Sequence, residues 1–156
     1  MAGASHRRTL LRHVRWDDAL AERIIAKVKQ AEIHIVTNAP INLMLECRGD
    51  GYPKRRGVAR IQQLLEAGVN VCCGQDDMQN MFYPYGNMDP LEVAAIAAHA
   101  DHLSSPAQIQ AAFDMPRYNA ARLWGLSNYG VTVGAAANLV VLPATSAVDA
   151  SAAIPP

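Results

Sequence analysis

The chain has no surplus of charge of either sign: 14 lysines and arginines stand against 14 aspartates and glutamates in 156 residues. That balance argues against nucleic acid or an anionic membrane as the main partner, since both select for basic excess. The basic pairs Arg7-Arg8 and Arg55-Arg56 read as local surface or loop features. No run approaches the roughly 18 consecutive apolar residues that a bilayer span requires, so no membrane partner is expected. The N-terminus is basic but has no long apolar stretch, and no signal peptide is read there. Cysteine is scarce. The three thiols show no C-x-x-C spacing, and Cys72 and Cys73 are neighbours on one predicted strand, facing opposite ways. Buried, inert thiols in a reducing cytoplasm are the expectation. No Gly-rich phosphate loop follows either predicted strand, so nucleotide binding lacks support.

What is present is a hydrophobic half, 51% of the residues, enough for one globular domain with a sizeable core. Residues 17–30 carry Leu20, Ile24, Ile25 and Val28 at helical spacing, with Asp17 or Asp18 as the N-cap. Residues 33–38 form a β-branched strand. Residues 40–57 form a long loop of the kind that is functional or mobile in a compact domain. A second helix over 58–67 turns Ile61, Leu64 and Leu65 inward and stops at Gly68. Residues 69–75 form the next strand. The order strand, helix, strand predicts a parallel βαβ unit with long loops at the strands' C-terminal ends. Beyond an aromatic loop over 78–88, helices are predicted from Pro90 to about His102, from Ser105-Pro106 to Phe113, and over 117–124. A last strand is predicted over 138–142, followed by a loose tail from Ala144.

The stretch that carries most meaning is the buried strand ending abruptly in Asp76-Asp77. Carboxylates at the C-terminal tip of a parallel strand stand where barrel-type α/β enzymes place catalytic and metal-binding groups. The competing reading is a turn or capping pair. His34, mid-strand among apolar neighbours, reads as a hydrogen-bonded core residue. His99 and His102 have ligand-compatible spacing on a helix but read as a solvent-facing pair. Phe82, Tyr83 and Tyr85 suit either a lid over a planar ring or an ordinary aromatic-anchored loop. Lys54, Arg55 and Arg56 read as solvated, Trp124 and Leu126 as packing, and Asn42 and Glu46 as candidates to line the mouth.

Three segments together carry a family resemblance: Tyr52-Pro53-Lys54-Arg55-Arg56-Gly57-Val58, then Glu66 through Asp77, then Tyr83-Pro84-Tyr85-Gly86. They resemble the cytosine deaminase-like branch of the metal-dependent amidohydrolase superfamily. Asn138-Leu139-Val140-Val141-Leu142-Pro143 is similar to the superfamily's closing pattern. The resemblance implies an α/β fold, the C-terminal portion of a TIM-type (β/α)8 amidohydrolase barrel. About the last three strands would be present, with trailing helices and a final β segment. Residues 1–125 would be partial barrel, and 126–156 the start of a small β segment and a flexible tail.

The resemblance further implies one divalent metal, zinc or iron, with Asp76 as a ligand that also accepts a proton from the attacking hydroxide. His6 would point at the hydrolytic water. Asp77 would contact the substrate amino group, and Phe82 the ring of the base. Gln75 stands where the family has histidine and would bear on substrate choice. The family's His-x-His pair, its other histidine ligand and its catalytic glutamate have no counterpart, so the full metal site is not encoded in this chain. The implied activity is hydrolytic deamination of a cytosine-like or related N-heterocycle. The alternative is a catalytically incomplete fragment or subunit that needs a partner chain or self-associates along open strand edges.

Overall fold

The computed structural model describes residues 7–8, 16–55 and 57–152. Three short strands form a parallel sheet in the order β1 (Arg7–Arg8), β2 (His34–Thr37), β3 (Val71–Cys73). Arg7 pairs with His34, and Ile35, Val36 and Thr37 pair with Val71, Cys72 and Cys73. The parallel βαβ expectation therefore holds. The Arg7-Arg8 pair lies in a strand and not in a loop.

Helix α1 (Asp18–Gln30) links β1 to β2. Its N-cap is Asp17, which accepts a 2.7 Å hydrogen bond from the Leu20 amide. Ala21, Ile25 and Val28 face inward, while Leu20, expected inside, is exposed. Helix α2 (Ala39–Leu45) occupies the start of the stretch expected as a long loop. Pro40 sits in its first turn, where a missing amide costs nothing, so the proline that ends β2 also starts a helix. Helix α3 (Ile61–Glu66) leads into β3 and buries Ile61 and Leu64. Gly68, with φ +73°, supplies the left-handed residue that lets the Val69 amide reach back to the Leu64 carbonyl.

Helix α4 (Pro90–Ala100) is capped by Asp89, and α5 (Pro106–Asp114) opens on a capping box between Ser105 and Gln108. A separate helix was expected after Pro116. Instead α5 runs through one π-helical turn (Met115–Asn119) into α6 (Ala120–Trp124). Pro116 has no amide to donate, and a wider turn absorbs that loss without ending the helix. Helix α7 (Ala147–Ala152) lies in the tail that was expected to be loose.

The core gathers Ile25 and Val28, Ile35 and Val71, Ile61 and Leu64, and Ala97, Leu103, Ala112 and Met115, so helices and sheet share one apolar layer. Trp124 and Leu126, expected to pack, are mostly exposed. The strand expected over 138–142 does not form; Leu139, Val140 and Leu142 border a cleft of about 430 Å³ together with Phe113, Tyr118 and Tyr129. Among the described residues, no helix is long and apolar enough to cross a membrane.

Candidate functional site

The C-terminal tips of β2 and β3 lie side by side, because Thr37 pairs with Cys73. The Gly74 amide extends the ladder by donating 3.0 Å to the Thr37 carbonyl. The next residue on β2 is Asn38, and the chain beyond β3 runs Gln75, Asp76, Asp77. Parallel pairing therefore places Asn38 opposite the carboxylate pair, and Asn38 Nδ2 donates to Asp76 Oδ2 at 2.7 Å.

Asn38 is buried, whereas Asp76 is exposed. Asp76 takes φ +62°, a left-handed conformation that aspartate tolerates better than most residues. Among the described residues no second hydrogen bond reaches its carboxylate, which leaves Oδ1 able to accept. Asn38 is also the N-cap residue of α2 yet makes no capping hydrogen bond.

Asp77 is held from the other direction. Asn80 Nδ2 donates 2.7 Å to Asp77 Oδ1, while Asn80 Oδ1 accepts from the Phe82 and Tyr83 amides at 2.9 and 3.0 Å. The Gln79 amide meets the Tyr85 carbonyl, and the Asn80 amide the Tyr83 carbonyl. The aromatic loop is thus bonded within itself, and Met81 and Phe82 stand exposed at its tip. Tyr83 is buried below them in edge contact with Tyr85. Burial, then Glu92, then Tyr85 push the Tyr83 phenol up from its ordinary range. Gln75 folds back, its Nε2 3.3 Å from the Asp77 carbonyl. It lies under Gly86, where a side chain at φ +89° would collide with it. Among the described residues, the buried Thr37 Oγ1 at the end of β2 and Glu92 Oε2 on α4 have no hydrogen-bond partner.

The structure thus brings Gln75, Asp76, Asp77 and Phe82 into one stretch at the strand tip. His6 lies outside the described residues, as does Arg56. His34 is half-buried, with Asn70 Nδ2 2.7 Å from its Nδ1; Asn70 also meets the Asn119 carbonyl and Arg122, a structural network on the sheet. His99 is exposed, its Nδ1 on the Ala95 carbonyl of its own helix, and His102 is exposed too. Asn42 is buried on α2, and Glu46 is half-buried where that helix ends. Arg55 is taken by a bidentate ion pair with Asp50, which pushes its pKa further up, and Lys54 lies over the Tyr52 ring. Sequence reasoning missed Asn38 and Asn80. Asn38 was readable as a carboxamide at the tip of the neighbouring strand; Asn80 carried no separate signal.

Among the described residues, no group of three or more histidines, cysteines, aspartates or glutamates is arranged to hold a metal ion. Asp76 fits as one oxygen donor to a divalent cation, with one carboxylate oxygen fixed and the other available. It does not form a site alone, since a catalytic metal commonly takes about three protein ligands. Cys72 and Cys73 add no ligand character. Burial pushes their thiols up to about 11 and about 12, away from the thiolate form.

A sequence profile described as the amidohydrolase family matches residues 2–155. A pterin deaminase of Rhizobium rhizogenes is 33% identical over 132 residues, covering 83% of this chain and 30% of the relative. An N-isopropylammelide isopropyl amidohydrolase of a Pseudomonas species is 35% identical over 85 residues, covering 54% of this chain and 21% of the relative. A crystal structure of 5-methylcytosine deaminase from Klebsiella pneumoniae, liganded with 5-fluorocytosine, superposes with a TM-score of 0.82 at 33% identity. That match covers 88% of this chain and 33% of the deaminase. The chain spans no more than about a third of the length of these relatives.

Proposed function

The chain belongs to the amidohydrolase family, in its cytosine deaminase-like branch, and on that premise we propose that it is the C-terminal part of a metal-dependent deaminase of cytosine-like N-heterocycles. The observation that carries the reading is Asp76 at the tip of β3, with one oxygen held by Asn38 and the other unengaged among the described residues. Relatives at 33% identity that are named deaminases of a pterin and of a methylated cytosine support the substrate class. In this reading Asp76 would be one oxygen donor to the divalent metal and would hold the proton given up by the attacking water, returning it to the amino nitrogen as the C–N bond breaks and ammonia leaves. Asp77 accepts from the substrate amino group through the oxygen that Asn80 leaves open. Phe82 offers its ring face to the base, and Gln75 shapes the rim. His6 orients the water. The divalent metal, zinc or iron, supplies the lowered pKa of that water.

The remaining ligands come from polypeptide that this chain does not contain, either a longer parent protein or a partner chain, and the isolated chain is inactive or self-associates. Three free cysteines, two of them with raised thiol pKa, suit a reducing cytoplasm.

The test is to join this chain to the portion of the Klebsiella pneumoniae 5-methylcytosine deaminase that it does not match, load the product with zinc or iron, and measure ammonia release. Cytosine, isocytosine, 5-methylcytosine and pterin form the panel. Release from at least one is expected. A folded, metal-loaded protein that releases none contradicts the proposal.

A further inference from the structure

We infer that Asn80 is a positioning residue: its carboxamide joins the Asp77 carboxylate to the backbone that carries Phe82, so the aromatic loop is a fixed platform for a planar ring and not a lid that closes over one. The inference rests on the proposed reading of Asp77 and Phe82 as substrate contacts. Both ends of the carboxamide are in use. Oδ1 accepts from the Phe82 and Tyr83 amides at 2.9 and 3.0 Å. An asparagine that only makes a turn uses that oxygen on its own backbone and needs nothing from its Nδ2. Here Nδ2 donates 2.7 Å to Asp77 Oδ1, so the turn and the carboxylate form one unit. An aspartate at this position would supply the acceptor without the donor.

The rest of the loop is closed as well. The Asn80 amide donates to the Tyr83 carbonyl and the Gln79 amide to the Tyr85 carbonyl, each at 3.1 Å. Gln79 Nε2 donates 3.0 Å to the Gly86 carbonyl. Tyr83 is buried and meets Tyr85 edge-on with ring centroids 5.7 Å apart. The Gln75 carboxamide fills the space beside Gly86, where an added Cβ would stand 2.9 to 3.2 Å from its atoms. On this bonded base Met81 and Phe82 are 86% and 53% exposed. A loop so tied, holding an apolar ring out in water, can meet a second ring with little further ordering. A closing lid needs the opposite, few backbone bonds and a free hinge.

Two measurements test this: hydrogen exchange on the full chain, and ammonia-release kinetics of the joined protein on the panel substrate it turns over. In wild type the Phe82 and Tyr83 amides are expected to exchange well below the unfolded-chain rate. Asn80→Ala is expected to speed both about fivefold, the scale of one lost hydrogen bond each. It should raise KM by a similar factor with kcat little changed, because the contacts it loosens serve substrate and transition state alike. Asn80→Asp keeps the acceptor but sets a like charge beside Asp77; its amides should stay protected while KM still rises. Wild-type amides that exchange at the unfolded-chain rate overturn the inference, since the loop is then mobile. An unchanged KM in Asn80→Ala overturns it too. So does Asn80→Asp with protected amides and a wild-type KM, since the asparagine then only shapes the loop. A wild-type joined protein that releases no ammonia instead overturns the deaminase reading, and the inference falls with it.

Discussion

Strand β3 and the segment over residues 138–142 are built from the same kind of residue and end in opposite states. Val71 and Cys72 are almost wholly buried, paired with β2 and packed against the helices. Val140 and Val141 are 85% and 94% exposed and belong to no strand. Both stretches have the branched, apolar composition of a strand. The difference is the partner: β3 finds the edge of β2 beside it, and 138–142 finds no edge among the described residues. Strand formation is decided by the neighbour and the face it covers, with intrinsic preference a weaker influence.

Four substitutions or conditions break or sharpen this contrast. Leu64→Ala, under β3, opens a cavity in the layer shared by helices and sheet. It should cost about 2–5 kcal/mol in denaturant unfolding. Asp101→Ala comes next. Asp101, at the end of α4, accepts a 2.6 Å hydrogen bond from the Gln62 amide and so caps α3 from another element. Losing that cap should cost about 1 kcal/mol and lower the thermal midpoint by a few degrees.

The third test is pH. Cys72 and Cys73 hold their protons more tightly folded than unfolded, so stability drawn from their burial is complete below about pH 9. It is lost as pH rises through about 11 and about 12. The thermal midpoint should fall over that window, and at pH 8 a thiol reagent should reach half-buried Cys47 before either strand cysteine. The smallest effect belongs to Val141→Ser, which should move stability by no more than about 0.5 kcal/mol. A cost above that range would mean that 138–142 is already paired, and the contrast with β3 would fail.

Much of the fold was legible because it is written in short-range chemistry. Asp17 caps α1, Pro90 and Pro106 open helices, Gly68 closes α3, and the βαβ order dictates parallel pairing. The unread parts are decided at longer range. The strand over 138–142 failed for want of an edge. The break at Pro116 failed because a π turn absorbed it. Residues 39–45 form a helix although Pro40 reads first as a strand breaker. At the site, Asp76, Asp77, Gln75 and Phe82 were visible from the sequence as one stretch. Their holders, Asn38 and Asn80, were not, because a carboxamide's partner is fixed only once β2 and β3 are in register and the aromatic loop has closed.

The most direct measurement compares initial rates of ammonia release from cytosine by the joined protein with Asp76 intact and with Asp76→Ala, both at equal folded concentration. The account predicts a loss of at least about 10²–10⁴-fold, the range for removing a positioned proton acceptor. Equal rates would contradict it, because the strand-tip carboxylate would then have no part in the chemistry.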